Sequence, residues 1–365
     1  MQPYFDQLMF ALLSSVASFL DKLIYPQRQP RHVIFERKAL SRTLASALLV
    51  GGGPAYCATS TWTGTTSGNW NVSSNWGGTL PSAGNDLLFN VLTNTGSMNN
   101  NFAAGTGFHS LMLNTGGTVS LSGNTIDLGA GGITQVGATK LNDFAPFTLT
   151  ATQTWTSSAP GYIGLNGGAA LDLGANTLTL TGSGDDFFDQ AISGTGGLTL
   201  AGSVNLQLQG TLSYNGTTTV SGSANLFLES LAAINTPIVV GNGATLTIVP
   251  GLHPLTNAPV SLQSGSTLAV SIDGSATIND YSSLGANADV TLAGSLSVTS
   301  STVLASGAAV TIVATQSGGT VSGNFSGVPD GATVRSGIQY YVVHYTATAV
   351  TLTAQDKIFT SGFDP

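Results

Sequence analysis

Cysteine is nearly missing. Cys57 is the single one in 365 residues, so no disulfide within the chain can form and stability must come from packing. Charge is equally scarce, at 7% of residues, and cations most of all. Six of the nine Lys and Arg precede residue 43, so from Thr59 onward only Lys140, Arg335 and Lys357 stand against fourteen acids, a net charge of −11. That balance excludes the basic surface nucleic acid requires. It also excludes lyase chemistry on uronates, which takes a Lys or Arg base and cations around the substrate carboxylate. His109, His253 and His344 are far apart, without metal-ligand spacing. No Gly-x-Ser-x-Gly elbow joins a strand to a helix, and no helix follows the glycine runs to receive a phosphate. No catalytic residue, cofactor or metal site is therefore expected.

The cations cluster where a secretory leader would hold them. Arg37, Lys38 and Arg42 precede the apolar run Thr43 to Val50, and small residues follow as far as Ala58, the layout of a signal peptide with cleavage near Ala58. The run is too short for a membrane span, and cleavage there would remove Cys57. Residues 1–58 are read as leader, with the signal over 33–58. A second apolar segment, Met9 to Ile24, carries Asp21 and Lys22. It points to a long leader or, preferably, to a start codon assigned too early, with an amphipathic helix as the third reading.

Beyond the leader, apolar residues alternate. Leu206, Leu226, Leu246, Leu268, Val290 and Val310 each open an apolar-x-apolar triplet, at intervals of 20, 20, 22, 22 and 20 residues. Period-two alternation marks strands with one buried face. Its return about every twenty residues marks a solenoid whose strands stack on their own copies. A Gly-rich polar chain could instead be disordered, but this one is 42% hydrophobic, with mean hydropathy +0.25. The expected fold is all-β, a right-handed parallel β-helix with a cap at each end.

Residues 59–107 hold three of the four tryptophans, Trp62, Trp70 and Trp76, and are read as an N-terminal cap over the exposed end of the core; a sugar-stacking platform is the competing reading. Repeats are expected over 108–322, as roughly ten to twelve rungs at about 4.8 Å each, with cap strands over 323–354 and a tail at 355–365. Between Leu178 and Leu206 the interval stretches to 28 residues, and the excess contains Asp185, Asp186 and Asp189. This is read as a protruding acidic loop, where solenoids place insertions. A solvated loop is the favoured interpretation; oxygen ligands for calcium or a glycosidase carboxylate pair are the alternatives.

The run Ile192-Ser-Gly-Thr-Gly-Gly-Leu-Thr-Leu-Ala-Gly202, followed by Leu206-x-Leu208-x-Gly210 and Tyr214-Asn-Gly-Thr-Thr-Thr-Val220, resembles the autotransporter-associated β-strand repeat. The tryptophan-rich start, Ser120 to Gly129, and the closing segments at Val328 to Gly331 and Tyr341 to Tyr345 are similar to what accompanies such repeats, so the resemblance extends loosely from Thr61 to Ala354. It implies an extracellular, non-catalytic β-helical passenger of a Gram-negative bacterium. The sequence departs from a full autotransporter in having no C-terminal block of alternating strands for a membrane barrel, which puts self-translocation in doubt. The expectation is a secreted or surface-exposed protein of structural or adhesive role, partnered by surface glycans or by other copies of itself. A carbohydrate-active β-helix enzyme and a calcium-dependent adhesion module are the alternatives.

Overall fold

The computed structural model describes residues 57–91, 97–167, 170–229, 234–273 and 281–355. The expected signal up to Tyr56, the segment Met9 to Ile24 and the tail around Phe363 lie outside the described residues. Cys57 onward forms one compact unit, a right-handed parallel β-helix. Its only described helix is the short 3-10 turn Ser73–Trp76.

Two long parallel sheets carry the stack. Twelve strands follow one another along the first, from Thr59–Trp62 to Val321–Gly323, and ten line the second, from Ser97–Asn100 to Ser295–Ser300. Short strands and isolated bridges close the third side of each turn, as at Phe147–Leu149, Ala170–Asp172 and Ala191–Ser193, and then at Leu212 and Ile234. Most strands are short, three to five residues, because the chain soon turns a corner. At one corner Gly222 takes φ +70, and a Cβ there would lie 2.8 Å from the carbonyl oxygen of Gly202 one turn below. Only glycine satisfies both the left-handed backbone and the close stacking.

Alternation fixes the core. In the second sheet Leu206, Leu226, Leu246 and Leu268 are in register and fully buried. In the first, Leu180, Leu200, Val220, Val240 and Leu262 form the matching inward column. Each such side chain contributes roughly 1.5–3 kcal/mol by burial, and the next turn repeats the contribution.

The register corrects the expected ladder. Above Leu268 the second sheet continues with Leu296, not Val290. Val290 stacks on Val260 in the first sheet. Val310 lies in Ala309–Thr315, which pairs antiparallel with Ala349–Gln355 in a third sheet at the C-terminal end. Every turn offers an apolar-x-apolar triplet on more than one side, so equal spacing alone cannot tell one column from another. The stretched interval before Leu206 has the same origin. Leu178 belongs to the first sheet, while in the second sheet Leu206 stacks on Asp186, twenty residues earlier. The long turn of this column lies instead between Leu268 and Leu296.

At the other end, parallel pairing already begins at Thr59, which stacks on Asp86, and Asp86 on Ser110. The repeat therefore starts inside the segment read as a cap. Trp62 and Trp70 are fully buried and Trp76 nearly so, with Trp76 packed edge-to-face against Trp62, Trp70 and Phe89 at centroid separations of 4.9–6.2 Å. They fill the interior of the first turns, which removes them as an open sugar platform. The closing strands Gln339–Tyr345 and Ala349–Gln355 pair antiparallel, ending the parallel register.

Candidate functional site

The three acids expected on one loop occupy a strand and its end, in three environments. Asp185–Phe188 is a strand of the second sheet, so neighbouring side chains face opposite ways. Asp185 points outward and accepts a hydrogen bond from Asn205 Nδ2 at 2.7 Å. Asp186 points into the core, 1% exposed. Its Oδ1 accepts the Ile163 amide at 2.7 Å and its Oδ2 pairs with the Ser157 hydroxyl at 2.9 Å. Burial pushes its carboxyl up to about 7, against the pull of those two hydrogen bonds and with a small push from Asp185. Asp189 is exposed beyond the strand end. The protruding-loop expectation is thus corrected: a strand cannot turn Asp185 and Asp186 toward one substrate or one calcium ion.

Asp143 shares the interior with Asp186. Burial raises its carboxyl well above the usual range, opposed by hydrogen bonds from Ala145 and Gln190. Elsewhere in the core, Gln153 donates to the Leu128 carbonyl at 2.9 Å and accepts from Trp155 Nε1 at 2.8 Å. These polar groups serve the stack from within.

The outward faces carry ladders of small polar residues. In the first sheet Thr154, Thr179, Thr199, Thr219, Val239, Ser261, Thr291 and Ser322 stand in one register, partly or fully exposed. On another side Asn257 donates to Asn235 and Asn287 to Asn257, both at 2.8 Å, and Ser317 donates to Asn287 at 3.3 Å. Each turn thus hands its neighbour the same hydrogen-bonding group, about 4.8 Å away.

A third constellation went unseen in the sequence. At the N-terminal end a thiol sulfur, a carboxylate oxygen and an imidazole nitrogen, from Cys57, Asp86 and His109, lie within 4.8 Å of one another. His109 Nδ1 is 2.7 Å from Asp86 Oδ1, and Ser110 Oγ donates to the same oxygen at 2.5 Å. Register brings them together: Ser110 stacks on Asp86, the Asp86 amide donates to the Ala58 carbonyl at 3.0 Å, and the His109 amide to that of Asn85 at 2.9 Å. His109 sits at a bulge where the next strand runs through Gly129 to Gly131. A Cβ at Gly131 would come within 2.8 Å of His109 Cε1, so this glycine makes room for the ring. Cys57, His109, Phe108, Gly84 and Gly129 help to line a cavity of about 370 Å³.

The other two histidines among the described residues form no such group. His253 packs edge-on to Tyr281 at 5.1 Å, and His344 lies 3.6 Å from Asp330 on an exposed face. Compared with protein-family models, with curated proteins and with solved structures, the chain matches none.

Proposed function

We propose that this protein is a non-enzymatic, exported β-helical scaffold whose outward ladders make structural or adhesive contacts, either with surface glycans or with further copies of the chain. The observation that carries this reading is the outward column of the first sheet, where seven of eight successive positions are Thr or Ser and only Val239 interrupts them. Hydroxyls repeated at strand spacing offer many weak hydrogen bonds in register, and a repetitive partner engages them together, so avidity replaces a pocket. Resemblance to autotransporter-associated repeats and the signal-like stretch before Ala58 support export to the outer surface of a Gram-negative bacterium or release from it. The −11 balance beyond Thr59 disfavours anionic partners.

The opposite orientations of Asp185 and Asp186 weigh against the glycosidase and calcium-module readings alike. The test replaces Thr179, Thr199 and Thr219 together by valine, which keeps the β-branched shape and removes the hydroxyls. Adherence to glycan-coated surfaces, or self-association measured by sedimentation, is expected to fall while the circular dichroism spectrum stays unchanged. Unchanged adherence and self-association would sink the ladder reading.

A further inference from the structure

We infer that Cys57, Asp86 and His109 form a binding site for a divalent transition metal of the zinc class. Thiolate, imidazole and carboxylate are the three ligand types zinc takes, whereas the hard cations calcium and magnesium take oxygen alone. The fit is close. A tetrahedral ion with bonds of about 2.0–2.3 Å holds its ligand atoms about 3.5 Å apart. The three donors already lie within 4.8 Å of one another, so the farthest pair closes by at most about 1.3 Å, while the hydrogen-bonded His109 Nδ1 and Asp86 Oδ1, now 2.7 Å apart, open by about 0.8 Å if both bind the ion.

Three further features mark the place as built rather than accidental. Ser110 holds the Asp86 carboxylate from one side, as outer-shell partners hold metal ligands. The neighbouring strand bulges opposite His109, and there Gly131 leaves the space the imidazole ring occupies. The cavity is lined by Cys57 and His109 themselves, which leaves room beside them for water to complete the coordination of an ion.

The site exists only in a chain that keeps Cys57. Cleavage just after Ala58, expected from the leader pattern, would remove both the thiol and the carbonyl that receives the Asp86 amide. The hydrogen bond from Asp86 makes residues 57 and 58 part of the first turn, so the site requires processing upstream of Cys57.

The full chain is titrated with Co²⁺ alone and then with Zn²⁺. One Co²⁺ per chain is expected, with a near-ultraviolet thiolate-to-cobalt band that Zn²⁺ abolishes and excess Ca²⁺ does not. Cys57→Ser is expected to lose the band. His109→Ala and Asp86→Ala are expected to weaken binding more than about 100-fold, and Ser110→Ala by about 10–100-fold, the range for outer-shell partners. Because the band is read first on the unaltered protein, a variant that fails to fold does not decide the matter. No stoichiometric Co²⁺ binding, or binding without the thiolate band, overturns the site. So does an intact mass showing that the chain recovered from its native cell begins at Thr59.

Discussion

Replacing Asp186 by asparagine is expected to stabilise the protein at neutral pH, although it alters a buried hydrogen-bonded residue. In the folded chain burial holds this carboxyl neutral up to about pH 7, against an ordinary value of 3.8. The unfolded chain ionises near 3.8 and so binds fewer protons between those two values, which means that unfolding is increasingly favoured as pH rises. The stability linked to Asp186 is fully present below about pH 4, is lost progressively up to about pH 7, and is then constant. At about 1.4 kcal/mol per pH unit, the interval from 3.8 to about 7 amounts to about 4 kcal/mol. Asparagine cannot ionise. Its carbonyl oxygen can still accept the Ile163 amide and its Nδ2 can donate to Ser157, the two partners the carboxyl has now. Urea unfolding of both proteins from pH 4 to pH 8 measures the difference. Near pH 4 the two should be equally stable, and by pH 7.5 the variant should lead by up to about 4 kcal/mol. The slope from Asp143, raised in the same direction, is common to both and cancels. A difference that does not change with pH would refute the buried, neutral assignment of Asp186.

Leu226→Ala, at the centre of the fully buried column, should cost about 2.7–5 kcal/mol in the same assay. Gly222→Ala should cost about 1–2 kcal/mol or more, because its backbone is left-handed and its Cβ would press on Gly202; a neutral effect would mean that the corner is looser than described. Asn257→Ala breaks two exposed amide bonds of the Asn ladder and should cost no more than about 1–2 kcal/mol, since water replaces the lost partners. A larger loss in that variant would show the ladder to be a main source of stability.

The sequence made the solenoid legible because period-two alternation and corner glycines are local signals. It left open which triplets share a column, and that ambiguity misplaced Val290 and Val310. It also turned the ordinary turn from Asp186 to Leu206 into an apparent insertion. Had the twenty-residue step been carried back from Leu206, Asp186 and Phe188 would have fallen on the inward face, beneath Leu206 and Leu208. The Cys57, Asp86 and His109 group was hidden for a different reason. Turns near the N-terminal end are irregular: Thr59 stacks on Asp86 after 27 residues and Asp86 on Ser110 after 24. No fixed period links these positions, so His109 looked isolated. Only the register, together with the bulge at His109, brings the three side chains to one place.

The central claim is that this β-helix works outside the cell through its exposed faces. Its most direct test treats intact native cells with a non-permeating amine- or carboxylate-reactive label, then fractionates the cells and the medium and follows the protein by mass spectrometry. The account predicts that the protein is found in the medium or on the outer surface, with labelled residues such as Asp185 and Asp189 on its outward side. Recovery of the unlabelled chain in the cytoplasm alone would contradict it.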